Sequence, residues 1–305
     1  MKRIVFCLWA CVVLWGVGCG ALDAVLLRPS PNIRLTPDDF GFKADALLLP
    51  LREDVQISIW HVHTPVQRKG IIVIVPGNDA NKSRFTVALP IFANDGWDVI
   101  LMDYQGFGQS GGTATLQGLV DSTRPVFDYA ASQADVVVGF GISMGTPVLA
   151  RIAADVDMTA CIFESMLNIR QEASLFLDHN NLGSPIGPIA DGVATLGTPD
   201  DYDIKKWITL VDEPKLFLHS PDDSVTPLQG VWEIFDLAPQ PKQLLTTFGE
   251  HATAVFLDPA LYRSMVNGWL DGVLADEPEL DQRFSELLQN EIDAALGDLG
   301  IDIAG

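Results

Sequence analysis

One stretch constrains this chain more than any other: Val136-Val137-Val138-Gly139-Phe140-Gly141-Ile142-Ser143-Met144-Gly145-Thr146. The valine run reads as a strand buried on both faces, as in a parallel sheet. Pro147 to Ala153 is compatible with a helix, and Pro147 suits a first turn because its missing N–H costs nothing there. Between strand and helix only a very tight turn fits. Gly141-Ile142-Ser143-Met144-Gly145 has the form G-x-S-x-G, which places a serine at strained backbone angles with its hydroxyl standing clear of the sheet. Gly141 and Gly145 supply the lack of bulk where strand and helix nearly touch. The Met144 amide then points from a helix N-terminus toward the hydroxyl, where a developing oxyanion would be stabilised.

The rest of the chain repeats the strand–helix alternation. Ala46 to Leu51 and Val55 to Val62 form an early pair, and Val55, Ile57 and Ile59 alternate with Gln56, Ser58 and Trp60. That alternation predicts an antiparallel edge whose second strand is half-buried. Continuous apolar runs follow at Ile71–Val75, Trp97–Met102, Asp135–Gly141, Thr159–Glu164, Lys215–His219 and Gln243–Phe248. Helical stretches are expected at about 82–94 (interrupted by Pro90), 116–131, 226–237 and 259–274, the last with Asp258 as N-cap and Pro259 at its first position. The expected fold class is α/β: a mostly parallel sheet of about eight strands with helices on both faces. Residues 165–201 show no strong strand and are expected to form a short lid insertion.

At the N-terminus Lys2 and Arg3 precede an almost wholly apolar run, Ile4 to Gly18. About 15 residues is short for a membrane span, which needs roughly 20, and suits a signal peptide. Gly16-Val17-Gly18-Cys19 is similar to a bacterial lipoprotein cleavage site, with Gly16 where such sites usually carry Leu. Residues 1–19 are therefore expected to be a signal peptide or lipoprotein leader lipidated at Cys19, with an uncleaved membrane anchor as the alternative. A lipid or membrane anchor would place the protein, exported, at the cell envelope, and a leader cleaved without lipidation would release it as a secreted protein. Residues 20–39 read as a linker or docking segment broken by Pro29 and Pro31, residues 40–275 as the main domain, and 276–305 as an acidic amphipathic helix. Cys7, Cys11 and Cys19 fall in the leader, leaving Cys161 in an apolar strand, so the cysteines form neither a disulfide framework nor a zinc-type cluster. With 40 acidic residues against 19 basic and a net charge of -21, the chain lacks the basic footprint that nucleic-acid binding needs.

A serine hydroxyl needs a base within hydrogen-bond reach, and the base needs an orienting carboxylate. Among His61, His63, His179, His219 and His251, the last lies just after the final strand, where reactive groups of a parallel sheet gather. The acid is expected after the preceding strand, in Ser220-Pro221-Asp222-Asp223-Ser224, where Asp223 is preferred and Asp222 stands second. A second oxyanion donor is expected from the loop at Pro76-Gly77-Asn78, through the Asn78 amide.

Four segments in this order carry a resemblance to the α/β-hydrolase superfamily, over about residues 40 to 275: Val75-Pro76-Gly77-Asn78-Asp79, the Asp103-to-Gly111 turn, the Gly141–Gly145 turn, and Asp223 with His251. Pro76 and Gln105 replace the usual His and Arg. Within the superfamily the chain resembles short-lidded serine esterases and peptidase-like hydrolases. The resemblance implies a serine hydrolase acting through Ser143, His251 and Asp223 on a small-molecule ester, thioester or amide, without a cofactor or metal. Two other readings compete. Gly106-x-Gly108-x-x-Gly111 fits a dinucleotide loop, although Gly112 and Thr113 delay the helix that should follow at once. A catalytically silent binding protein of the same fold is the alternative function.

Overall fold

The computed structural model describes residues 23, 26–78, 81–170 and 198–276. Eight strands form one sheet: β1 (Ala44–Arg52), β2 (Val55–Val62), β3 (Gly70–Val75), β4 (Trp97–Met102), β5 (Val137–Ile142), β6 (Ala160–Glu164), β7 (Lys215–His219) and β8 (Lys242–Thr246). Their order is β1-β2-β4-β3-β5-β6-β7-β8. β1 pairs antiparallel with β2, and β2 antiparallel with β4; every later pairing is parallel. The antiparallel edge and the parallel body thus follow the sequence expectation.

β2 departs from it. Only Gln56 of its eight residues is exposed; Ser58 and Trp60 are buried with the apolar positions. The alternation predicted a solvated face, but β2 is an internal strand, flanked by β1 and β4 and covered on both sides. Its polar residues are absorbed by bonds: the Lys82 ammonium donates to Ser58 Oγ at 2.9 Å and lies over the Trp60 ring.

Side-chain alternation along the strands divides the core in two. Ile71, Val73 and Val75 face one cluster, Ile72 and Ile74 the other. The first is closed by α1 (Leu116–Gln133), α2 (Gly145–Ala153) and α3 (Leu228–Leu237). The second is closed by residues 89–93 and by α4 (Pro259–Leu274), which brings Tyr262, Met265, Val266, Trp269 and Leu270. Asp258 caps α4 as expected, accepting from the Leu261 amide. The stretch expected as one helix at 82–94 is instead a 3-10 turn (Lys82–Ala88), four α-helical residues (Leu89–Phe92) and a second 3-10 turn (Ala93–Asp95), with Pro90 opening the middle piece.

Residues 26–34, expected as linker or docking segment, lie against the domain. Leu26 and Leu27 are buried in the first cluster, and the Asn81 amide donates to the carbonyls of Ser30 and Asn32. Cys161 is buried, and burial raises its thiol pKa far above the ordinary value. The leader with Cys19, most of the proposed lid with His179, and the tail from residue 277 lie outside the described residues. Among the described residues no helix is long and apolar enough to cross a membrane.

Candidate active site

In a parallel sheet the strand ends on one side share a single rim, and loops leaving it meet above the same point. β3, β5, β6, β7 and β8 deliver Asn78, Ser143, Glu164, Asp223 and His251 to that rim. Ser143 has φ +51°, the left-handed region a serine rarely occupies. Its neighbours explain how the turn is held. A Cβ on Gly145 would lie 2.2 Å from the Val75 carbonyl oxygen, and one on Gly141 would lie 2.9 Å from the Gly145 carbonyl oxygen. The Thr146 amide and hydroxyl both donate to the Ser143 carbonyl, at 2.9 and 2.7 Å, and the Ser143 amide donates to the Glu164 carbonyl at 2.9 Å.

The strained serine faces His251. Ser143 Oγ lies 2.7 Å from His251 Nε2, and His251 Nδ1 lies 2.8 and 3.0 Å from the two Asp223 oxygens. Asp223 also accepts from the Val225 and Thr226 amides and the Thr226 hydroxyl. Burial pushes its pKa up, but the bond and charge of His251 and the donors of Thr226 outweigh burial and hold it at about 2. Asp222, the other candidate acid, is exposed and its amide donates to Ser220 Oγ. The acid and base loops are joined by Ser220 Oγ, which donates to the Gly249 carbonyl.

The other described histidines do not join this bond path. His219 is buried at the end of β7, and burial lowers its pKa, which favours the neutral ring. His61 and His63 sit at the end of β2, on the opposite side of the sheet from the rim.

Asn78 and Met144, expected as oxyanion donors, reach the serine from two places, Met144 as the next residue in the chain and Asn78 across the cleft from the loop after β3. Met144 is the residue before α2, and Asn78 lines the same cleft as Ser143. Two buried tyrosines hold the backbone beside them. Tyr104 donates to the Pro76 carbonyl at 2.8 Å, and Tyr202 donates to the Met144 carbonyl. The Asn78 side chain is occupied by the N-terminal segment: Nδ2 donates to the Leu26 carbonyl, and Oδ1 accepts from the Arg28 amide at 3.1 Å. At the two departures from the resemblance, Pro76 receives Tyr104, and Gln105 Oε1 accepts from Arg52 at 3.0 Å.

A cleft of about 350 Å³ opens beside Ser143, lined mainly by apolar groups including Phe85, Phe140, Val255 and Phe256. Among the ionisable side chains in its wall that escaped the sequence reading, Glu164 is the buried carboxylate. Glu164 is 3% exposed and accepts from the Tyr262 hydroxyl at 2.8 Å. Burial, and to a smaller degree the Asp223 charge, raise its pKa to about 7 against the lowering pull of Tyr262 and His251. The available signal was a carboxylate closing an otherwise apolar strand, Ala160-Cys161-Ile162-Phe163-Glu164.

The glycine-rich turn after β4 has a different occupant from a dinucleotide. A Cβ on Gly108 would lie 2.2–2.4 Å from the Asp103 carboxylate atoms. That carboxylate is fully buried and bound to the Lys82 ammonium at 2.5 Å, the Lys82 amide at 2.7 Å and the Gln109 amide at 2.9 Å. The turn wraps an internal ion pair.

Known proteins with similar features follow the same lines. The pattern of the family described as serine aminopeptidase, S33, matches residues 66–176. YfhR of Salmonella typhimurium, described as uncharacterized, is 28% identical over 225 residues, covering 70% of this chain and 76% of that protein. Lysophosphatidylserine lipase ABHD12 of Macaca fascicularis is 26% identical over 227 residues, covering 61% of this chain and 54% of its own length. Among solved structures, the Pyrococcus furiosus esterase Pf2001 superposes with a TM-score of 0.69 at 15% identity, covering 81% of this chain and 97% of the esterase.

Proposed function

We propose that this chain, which has the α/β-hydrolase fold and matches a serine-hydrolase family pattern over residues 66–176, is a serine hydrolase that cleaves a carboxylic ester by acyl transfer through Ser143, His251 and Asp223. The observation that carries the reading is the continuous bond path from Ser143 Oγ through both ring nitrogens of His251 to Asp223 at the mouth of an apolar cleft. His251 takes the Ser143 proton as Oγ attacks the substrate carbonyl, then returns it to the leaving alcohol. Asp223, ionised down to about pH 2, keeps Nδ1 protonated and stabilises the imidazolium. The Asn78 and Met144 amides receive the oxyanion; losing one such donor costs about 2.7–4 kcal/mol of transition-state stabilisation. Water activated by His251 then releases the acid.

An ester is favoured over a peptide because the cleft wall is mainly apolar and the esterase and lipase relatives are named for ester-cleaving activities. Thioesters and amides are the alternative substrates by the same path. We also place the enzyme at the cell envelope, held by lipidation at Cys19; incorporation of labelled palmitate that disappears in Cys19→Ala is the expected result. Purified wild type should hydrolyse p-nitrophenyl esters, with Ser143→Ala and His251→Ala each lowering kcat at least 1,000-fold. Full activity in Ser143→Ala would refute the assignment.

A further inference from the structure

We propose that His61, His63 and Asp98 form a binding site for a divalent transition-metal ion, zinc foremost, on the side of the sheet away from Ser143.

The strand register assembles the three side chains. Residues two apart on a strand point to the same face, so His61 and His63 project together. β2 runs antiparallel to β4 with Val62 opposite Val99 and His61 opposite Ile100, so the next step brings His63 to Asp98. One ligand atom from each residue lies within 4.8 Å of the others. His61 Nε2 is 3.2 Å from Asp98 Oδ2, and His63 Nδ1 is 3.6 Å from the same oxygen. Ligands bound to zinc at about 2.0–2.1 Å in tetrahedral geometry stand about 3.4 Å apart. Two edges of the triangle already match that spacing. The third would close by a turn of His63, which is 40% exposed and whose partner Asp45, 64% exposed, can follow it.

The surroundings fit the same role. A histidine that binds a metal through one ring nitrogen usually donates from the other to an oxygen, which fixes its tautomer. His61 Nδ1 lies 2.9 Å from the Tyr129 hydroxyl, and His63 Nε2 lies 2.9 Å from Asp45 Oδ2. Both imidazoles therefore aim the remaining nitrogen at Asp98. The Thr64 amide occupies Asp98 Oδ1 at 2.8 Å, which orients Oδ2 toward the two rings. Two nitrogens and one carboxylate oxygen are a donor set that suits zinc, with a fourth position for water. An ion here would tie β1, β2, β4 and α1 together. It lies near the start of β4, whereas the reacting serine follows the opposite strand ends, so its effect is on stability rather than on the carbonyl.

One group competes. Arg68 Nη1 is 3.3 Å from Asp98 Oδ2, and Arg68 is half-exposed on a long stem. The guanidinium and the metal would share one oxygen, which makes Arg68 a diagnostic position.

The test is titration of the chelator-treated full-length chain with zinc alone, followed by calorimetry and metal analysis. Wild type should bind one zinc at this site, with affinity falling at least 10-fold in His63→Ala and about 10-fold in Asp45→Asn. Arg68→Ala, freed of the competing cation, should bind more tightly. Zinc should raise the Tm of wild type and not of His63→Ala. Absence of saturable binding, or binding unaffected by His63→Ala, would overturn the proposal and leave the cluster as a network of hydrogen bonds and ion pairs.

Discussion

Ser143 holds a backbone conformation that costs of order 1–3 kcal/mol for a non-glycine residue. The same φ is natural for glycine. Ser143→Gly is therefore expected to abolish ester hydrolysis while unfolding at a temperature no lower than wild type, as a thermal melt would read; a clear loss of Tm would mean the turn is not strained. Glu164 makes the second residue-scale prediction. Its pKa is near 7 in the folded chain against about 4.5 unfolded. A raised carboxyl pKa means the folded state holds the extra proton between those values, so its contribution is fully present below about pH 4.5 and is lost as pH rises through 7. The difference is of order 3 kcal/mol. Glu164→Gln keeps an oxygen for Tyr262 and carries no charge to bury. Its stability relative to wild type should rise between pH 5 and 8 in urea titrations, and a constant difference across that range would contradict the assigned burial. Asp223 has the opposite sign: its depressed pKa contributes stability above about pH 3.8 that disappears as pH falls through 2.

At the scale of elements, the loop after β3 is set from two sides. Tyr104 grips Pro76, and the N-terminal segment grips the Asn78 side chain through Leu26 and Arg28. Asn78→Ala keeps the backbone amide proposed for the oxyanion but removes its anchor. It is expected to lower kcat about 10-fold, roughly 1.4 kcal/mol, with little change in KM; unchanged kcat would detach the strap from catalysis. That coupling was illegible in the sequence, because nothing local to Asn78 announces a partner some fifty residues away. What was legible had local causes. The Val136-to-Thr146 stretch and the apolar runs of β3, β4 and β7 specify their elements by pattern, and Asp258-Pro259 specifies where α4 begins. β2 was misread because alternation reports one covered face, whereas neighbours on both sides and a buried Lys82 remade the second. Ser143, His251 and Asp223 could be chosen from their places after strands; deciding against Asp222 required the loop itself, where adjacent carboxylates face solvent and His251 respectively.

For the molecule as a whole, the antiparallel edge is attached to the parallel half that carries Ser143 through buried charge. Lys82 and Asp103 are both fully enclosed, with Ser58, Gln109 and Trp60 completing the shell. Removing one member of such a pair typically destabilises by 3–5 kcal/mol, because the partner stays buried without compensation. Lys82→Met should lose about that much in equilibrium denaturation, and a change under 1 kcal/mol would show that the Asp103 carboxylate finds other support from its backbone donors. The sheet itself explains why five loops distant in sequence meet at one cleft: parallel strands put every exit on one rim. The most direct measurement of the central claim is labelling of the folded protein with a fluorescent fluorophosphonate, beside Ser143→Ala and His251→Ala. Covalent labelling of wild type that is lost in both variants is the result expected of an activated Ser143; a well-folded wild type that takes no label, or a Ser143→Ala variant that still does, would contradict it.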